Sequence, residues 1–267
     1  MSDAETYEVF AIKYGDMTKR FRRDNFIATD DHDAKMPIDY FVWAIRNKNR
    51  TIVVDTGFEH KEAKKRGRQV QRTPAQGLAM VGVDAAKVQD VVITHLHYDH
   101  AGTLGDFPEA TFHIQDKEVN YATGRHMCHD TFGFAYTADH VCDLVRKVFD
   151  KKVAFHDGDE EIAPGVSLHL IGGHTMGVQC VRVKTKRGWV VLASDAAHFY
   201  ENMNAEKPFP LVYNVSDMIA GFAKMHKLAE SPKHIIPGHD PLVLKQYAAP
   251  KKSMAGIVAK LDVAPKK

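Results

Sequence analysis

VQDVVITHLHYDHAG, residues 88–102, joins a short apolar run to a dense group of metal-ligating side chains. The first part, VQDVVIT (88–94), is nearly continuous in Val and Ile, as a sheet strand covered on both faces would be. Four of the next six residues, His95, His97, Asp99 and His100, can bind a metal. In an extended segment alternate residues share a face, so His95 and His97 point the same way. Asp99 and His100, past the strand end, turn toward a neighbouring point, and Gly102 lets the backbone fold tightly there. One loop thus offers two donor pairs for two adjacent cation positions.

Three later places extend the set. VSLHLIGGHTMG puts His174 after a strand and two glycines, WVVLASDAAH puts Asp195 after another strand, and HIIPGHDP puts His239 after a third. Strand-to-loop turns are where α/β folds carry their sites. Five histidines and two aspartates without a cysteine suit borderline divalent metals, zinc first. An aspartate between two cations about 3.5–4 Å apart is a hydrolytic arrangement. A lone histidine is more often packed or exposed than ligating, and His60, His113, His156, His169 and His234 are expected to be of that kind. The HxHxDH cluster directly after a buried strand is not explained that way.

Composition sets the frame. The chain has 267 residues, 44% hydrophobic and 26% charged, with a formal net charge of +2. It is long enough for a sizeable core and too close to neutral to call for a polyanionic partner, so nucleic acid is not expected. No apolar run approaches the ~20 residues of a membrane span, and no membrane role is expected. The N-terminal MSDAETYEVF shows no basic region followed by an apolar one, and three widely spaced cysteines, Cys128, Cys142 and Cys180, suggest no disulfide framework. A cytoplasmic protein is expected, monomeric or homodimeric. Sixteen histidines are the anomaly, and the metal cluster accounts for part of them.

Further strands are expected at 7–15, 38–45, 51–57, 110–115, 152–156, 166–171, 179–185 and 189–194, with a last strand and turn at 234–241. Asp55 and Gly57 close the third of these. Segment 59–72 reads as a solvated helix or loop. TPAQGLAMVGV (73–83) reads as a helix with Thr73 as cap and Pro74 at its first position, and 214–230 as an amphipathic helix capped by Asn214 or Ser216. The chain is expected to form one domain over 1–267, with a helical insertion at 116–150 and a loosely packed tail at 248–267. Strands and helices in this order suggest a layered α/β protein.

HLHYDH (95–100), GGH (172–174), SD (194–195) and GHD (238–240), in that order, resemble the metallo-β-lactamase superfamily, as does VVDTG (53–57). The resemblance spans roughly 7–247. It implies an αββα sandwich with two zinc ions at one edge of its two sheets. His95, His97 and His174 would hold the first ion, Asp99, His100 and His239 the second, and Asp195 would bridge. Asp55 would buttress the metal loop. Relatives that reduce oxygen carry Glu at the place of His97 and a flavin domain; His97 favours hydrolysis. THLHYDHAG, FPEATFHIQ, DAAH and PGHDP resemble the N-acyl homoserine lactonase branch in particular, which implies a quorum-quenching enzyme acting on a small-molecule lactone or ester.

One position departs from that branch. Its members resemble each other in a tyrosine three residues after the bridging aspartate, where this chain has His198; Tyr200 lies two further on. Either is a candidate to contact a developing oxyanion, and Asp99 is a candidate to bind metal and pass a proton to the leaving alkoxide. Phe21, Met36, Phe132, Phe134 and Tyr136 are candidate walls of an acyl pocket. Arg20, Arg22 and Arg23 are candidates for meeting a substrate carboxylate. The rival activities are a catabolic lactonase of another small lactone, in which KRFRR (19–23) meets the substrate, and a thioester hydrolase of the hydroxyacylglutathione kind. A ligand-binding sensor without turnover would not need both metals.

Overall fold

The computed structural model describes residues 5–27 and 33–266. Two β-sheets lie face to face with helices on both outer faces. The first sheet is built from β1 (Glu8–Met17), β2 (Ile38–Arg46), β3 (Thr51–Val54), β4 (Gln69–Val70), β5 (Asp90–Val92), β6 (Thr111–Gln115) and β7 (Val153–His156). The second holds β8 (Glu160–Ala163), β9 (Val166–Leu170), β10 (Gln179–Thr185), β11 (Gly188–Ser194) and β12 (Ile235–Pro237). A thirteenth strand, β13 (Val258–Lys260), returns to the first sheet, whose order is β13-β1-β2-β3-β5-β6-β7 with β4 also on β1. The second runs β12-β11-β10-β9-β8. β3, β5, β6 and β7 are mutually parallel, and so are β11 and β12.

Side-chain alternation explains the layers. In β1, Val9 and Ala11 face the second sheet while Phe10 and Ile12 face the helices. The intersheet layer joins Val9, Phe41, Trp43, Ile52 and Val54 to Leu168, Val181, Val183, Val190 and Leu192. Each such side chain contributes about 1.5–3 kcal/mol by leaving water. On the outer face of the first sheet lie α1 (His60–Arg66), α2 (Pro74–Met80), α3 (Asp116–Ala122), α4 (Asp130–Gly133) and α5 (Ala138–Phe149), which supply Ala63, Leu78, Tyr121, Val141 and Leu144 to a second core. After α6 (Tyr200–Asn204), helix α7 (Val215–Leu228) covers the other sheet with Met218, Phe222 and Met225; α8 (Leu242–Gln246) follows β12. The αββα expectation therefore holds.

Local signals behave as their chemistry requires. Thr73 Oγ1 accepts from Gln76 N while Gln76 Oε1 accepts from Thr73 N, a reciprocal cap on α2. Asn214 caps α7 by accepting from Ser216 and Asp217 N–H. The charged segment 59–72 is divided between α1 and β4. Within the segment expected to be a loosely packed tail, Val258–Leu261 is instead integral. Lys260, Ala259 and Val258 pair with Phe10, Ala11 and Ile12, Leu261 N donates to Val9 O at 2.7 Å, and Leu261 is fully buried. The edge of β1 would otherwise expose unpaired backbone groups, and this segment covers it.

Candidate metal centre

The site forms where strands of both sheets end together. β3 stops at Val54, and Asp55 takes a left-handed φ of 60° that aims its carboxylate under the 94–102 loop. Thr94 N donates to Asp55 Oδ1 at 2.8 Å, Thr94 Oγ1 to Asp55 Oδ2 at 2.8 Å, and His100 Nδ1 lies 2.7 Å from the same Oδ2. Gly102 N donates to Gly57 O at 2.7 Å, and a Cβ on Gly102 would sit 2.6 Å from that carbonyl. Glycine there serves close backbone approach. From the second sheet, Ser194 turns with φ 46° to project Asp195. Gly238 packs so closely beneath it that a Cβ would lie 2.7 Å from Ser194 C and O.

All seven sequence-predicted ligands are brought together. His95, His97, His174 and Asp195 offer donor atoms within 4.8 Å of one another, as do Asp99, His100 and His239. His174 Nε2 is 3.0 Å from His97 Nδ1. Asp195 divides its oxygens between the two groups. Oδ1 lies 2.9 Å from His239 Nε2 and 3.2 Å from His100 Nε2, while Oδ2 lies 3.3 Å from His174 Nε2 and 3.8 Å from His95 Nε2. Asp99 Oδ2 is 3.8 Å from both His100 and His239 Nε2.

The far side of most rings is fixed. His174 Nδ1 is 2.6 Å from Leu211 O, His239 Nδ1 2.8 Å from Asp39 O, and His100 Nδ1 meets Asp55. Each acceptor holds the proton on Nδ1, so the Nε2 lone pair faces inward. Yet the buried His95 Nε2, His100 Nε2 and Asp195 Oδ1 have no well-directed hydrogen-bond partner. Inward lone pairs on nitrogen and carboxylate oxygen, orphaned in a closed space, fit divalent cations of the zinc kind.

Electrostatics divide the donors. Burial holds the pKa of His95 and His97 well below the ordinary histidine value, so both stay neutral and able to ligate. Burial also opposes charge on His100, but Asp195, Asp55 and Asp99 outweigh it and raise its pKa. Burial works against ionised Asp195 too, yet His198, His239 and His100 hold its carboxyl well below the usual range.

Glu118, a residue not anticipated, ties the site together. Fully buried at the start of α3, it accepts from Leu96 N at 2.9 Å and Tyr136 Oη at 3.0 Å through Oε1, and from Thr175 Oγ1 at 2.5 Å and Gly177 N at 3.2 Å through Oε2. One carboxylate thereby joins the loops carrying His95, His97 and His174.

A cavity of about 300 Å³ opens onto His97, Asp99, Asp195, His198 and His239. His198 stacks on Phe209 with ring centroids 3.7 Å apart, and its Nε2 lies 2.9 Å from Asp195 Oδ2. Tyr200 must be corrected. Its N–H caps onto Asp240 Oδ2, its ring packs into the cores on both faces of the second sheet, and its charged or polar neighbours are Tyr247, Asp240 and Arg187, away from the cavity. Of the five expected apolar wall residues only Phe134 lines the cavity. Tyr136 instead sets its ring edge-on to His97 at 4.6 Å. Phe21 lies under Arg23, Met36 joins the core packing, and Phe132 packs on Tyr121 and Tyr213. The wall is made instead by Ile38, Tyr40, Tyr98, Phe209, Pro210 and Val212. Arg20 lines it; Arg22 pairs with Glu201 and Arg23 with Asp33. The five histidines expected outside the site stay outside the metal-sized clusters of the described residues. His113, for example, sits between His156 at 3.0 Å and Asp90 at 3.2 Å.

The chain matches the metallo-beta-lactamase superfamily over residues 37–248 and belongs to that family. It is similar to the N-acyl homoserine lactonase AttM of Azorhizobium caulinodans, 31% identical over 60% of this chain and 61% of that protein. It is also similar to an N-acyl homoserine lactonase of Bacillus cereus, 31% identical over 49% of this chain and 48% of the relative. The aligned part thus spans about half to three-fifths of these relatives. The fold is shared with the crystal structure of a quorum-quenching N-acyl homoserine lactone lactonase, at a TM-score of 0.73, 22% identity, and coverage of 89% of this chain and 94% of that one. No helix of the described residues is long and apolar enough to cross a membrane.

Proposed function

We propose that this protein is a lactone hydrolase that works with two divalent cations, zinc foremost, and opens a ring ester to a hydroxy acid. The observation that carries the proposal is the division of the Asp195 carboxylate, one oxygen toward each ligand group. His95, His97 and His174 would hold one cation, Asp99, His100 and His239 the other, and Asp195 both. When bound, such a pair supplies acidified water and charge to polarise a carbonyl. The chain's own groups do the rest. His198, fixed by its stack on Phe209 and by its Nε2 2.9 Å from Asp195 Oδ2, stands at the cavity wall and orients the ester carbonyl. Asp99, on the same wall, carries a proton to the leaving alkoxide. The walls of Ile38, Phe209, Pro210 and Val212 exclude water from the reacting ester.

N-acyl homoserine lactones, the substrates named for the relatives, are the first lactones to test, and quorum quenching is the role they suggest. A pH-indicator assay on zinc-loaded protein would compare acyl-homoserine lactones of several chain lengths, simple γ- and δ-lactones and a glutathione thioester. Lactone turnover well above thioester turnover is expected. Thioester turnover alone would contradict the lactone assignment and leave the fold and donor cluster standing.

A further inference from the structure

Two cations in the cavity wall have no part in the chemistry above. Arg20 and Arg68 both line the space onto which Asp99, His198 and His239 open. Both are held in place by neutral acceptors. Arg20 donates from Nε to Asn25 Oδ1 and from Nη2 to Asp24 O, with its guanidinium 4.8 Å from the Phe209 ring centroid. Arg68 donates from Nη1 to Arg66 O at 2.8 Å and from Nε to Tyr98 Oη at 3.2 Å; that hydroxyl also meets Tyr40 Oη at 3.0 Å.

Arg22, Arg46 and Arg66 each pair with a carboxylate, Glu201, Glu8 and Glu62, while Arg72 and Arg182, like Arg20 and Arg68, donate to backbone carbonyls, but away from the cavity. Among the described residues no carboxylate lies within ion-pair distance of Arg20 or Arg68, and Arg20 Nη1 and Arg68 Nη2 have no hydrogen-bond acceptor. The two half-buried guanidinium groups share one small cavity and repel each other, with Asp24 acting on Arg20 and Asp99 on Arg68 only from beyond ion-pair distance, and an anion held between them would relieve that repulsion. Besides the metal-cluster residues the lining offers Ile38, Phe134, Pro210 and Val212 as apolar surface, alongside Thr131, Tyr40 and Tyr98.

Resting on the lactonase reading, the geometry points to a substrate that carries its own carboxylate: a lactone acid, whose ring ester faces the histidine–aspartate cluster while its carboxylate is held by Arg68 and Arg20. Arginine forks match a carboxylate in charge and shape. An N-acyl homoserine lactone offers no anion before its ring opens and leaves both forks unused. In the reaction the water oxygen bonds to the ring carbonyl carbon and the ring C–O bond breaks. The departing alkoxide takes one water proton, and the new carboxylic acid releases the other to solvent. The product is a hydroxy dicarboxylate.

The test is steady-state ring opening by zinc-loaded protein of a γ-lactone carrying a ring carboxylate, of the matching carboxamide, and of hexanoyl-homoserine lactone. A charged hydrogen bond of this kind corresponds to about 10- to 100-fold in kcat/KM, so wild type is expected to prefer the acid over the amide by that factor. The acid-to-amide ratio should fall toward one in Arg68→Gln and in Arg20→Gln, and should shrink with added salt. A wild-type ratio of one or less overturns the anionic-substrate proposal while amide or homoserine lactone turnover keeps the lactonase reading. A ratio unchanged in both variants also overturns it. Turnover of none of the three overturns both. Should Arg68→Gln fail to fold, Arg68→Lys and the wild-type ratio still decide.

Discussion

His100 Nδ1 lies 2.7 Å from Asp55 Oδ2, and both residues are closed to solvent. The contact fixes the tautomer that turns His100 Nε2 toward Asp195 and Asp99. Burial raises the Asp55 pKa, and His100 and Thr94 act against that rise. In Asp55→Asn an amide N–H₂ must face either His100 or the two donors of Thr94. Affinity for the second cation should fall about 10- to 100-fold, read by competition with a chromogenic chelator. Unchanged affinity would show that Asp55 only supports the backbone.

Glu118 meets four donors from three loops, and among the described residues no cation pairs with it. Replacing it by Leu leaves those donors buried and unpaired. A loss of about 3–5 kcal/mol in urea unfolding is expected, with a smaller loss for Glu118→Gln, which keeps one acceptor oxygen. Equal losses in the two variants would mean that packing, not the carboxylate, matters.

Gly238 has its Cα against the Ser194 backbone, with a Cβ position only 2.9 Å from Asp195 Oδ1. Gly238→Ala has to push apart the turns that present Asp195 and His239. It should cost about 1–3 kcal/mol and lower bound metal per chain in elemental analysis. Full metal content at wild-type stability would mean that these turns yield easily.

Leu261→Ala separates an integral tail from a loose one. Leu261 is fully buried beside β1, so truncation should cost about 2–5 kcal/mol in thermal or chemical unfolding. A loss near zero would return the segment to the loose packing that its sequence suggests.

Legibility in the sequence followed locality. The metal donors could be read because four fall within six residues and the other three each follow a strong strand pattern. β13 could not, because three residues are too short for a period-two signal and a Lys/Pro-rich setting disguises them. Glu118 reads as an ordinary helical carboxylate until burial and its four partners are known. The cavity wall was the least legible part: Ile38, Arg68, Tyr98 and Phe209 come from separate segments that only tertiary structure joins. Tyr200 is misleading in the sequence because proximity to Asp195 along the chain does not fix its direction. Its backbone caps onto Asp240, and its ring turns into the core.

Ring opening followed while metal-stripped protein is titrated with zinc tests the bridged two-cation hydrolase most directly. Wild type should be inactive when stripped and should reach its plateau at about two zinc ions per chain, and Asp195→Asn should lose at least about 100-fold while remaining folded. Full activity in stripped protein, a plateau at one ion, or an Asp195→Asn variant at wild-type rate would contradict it.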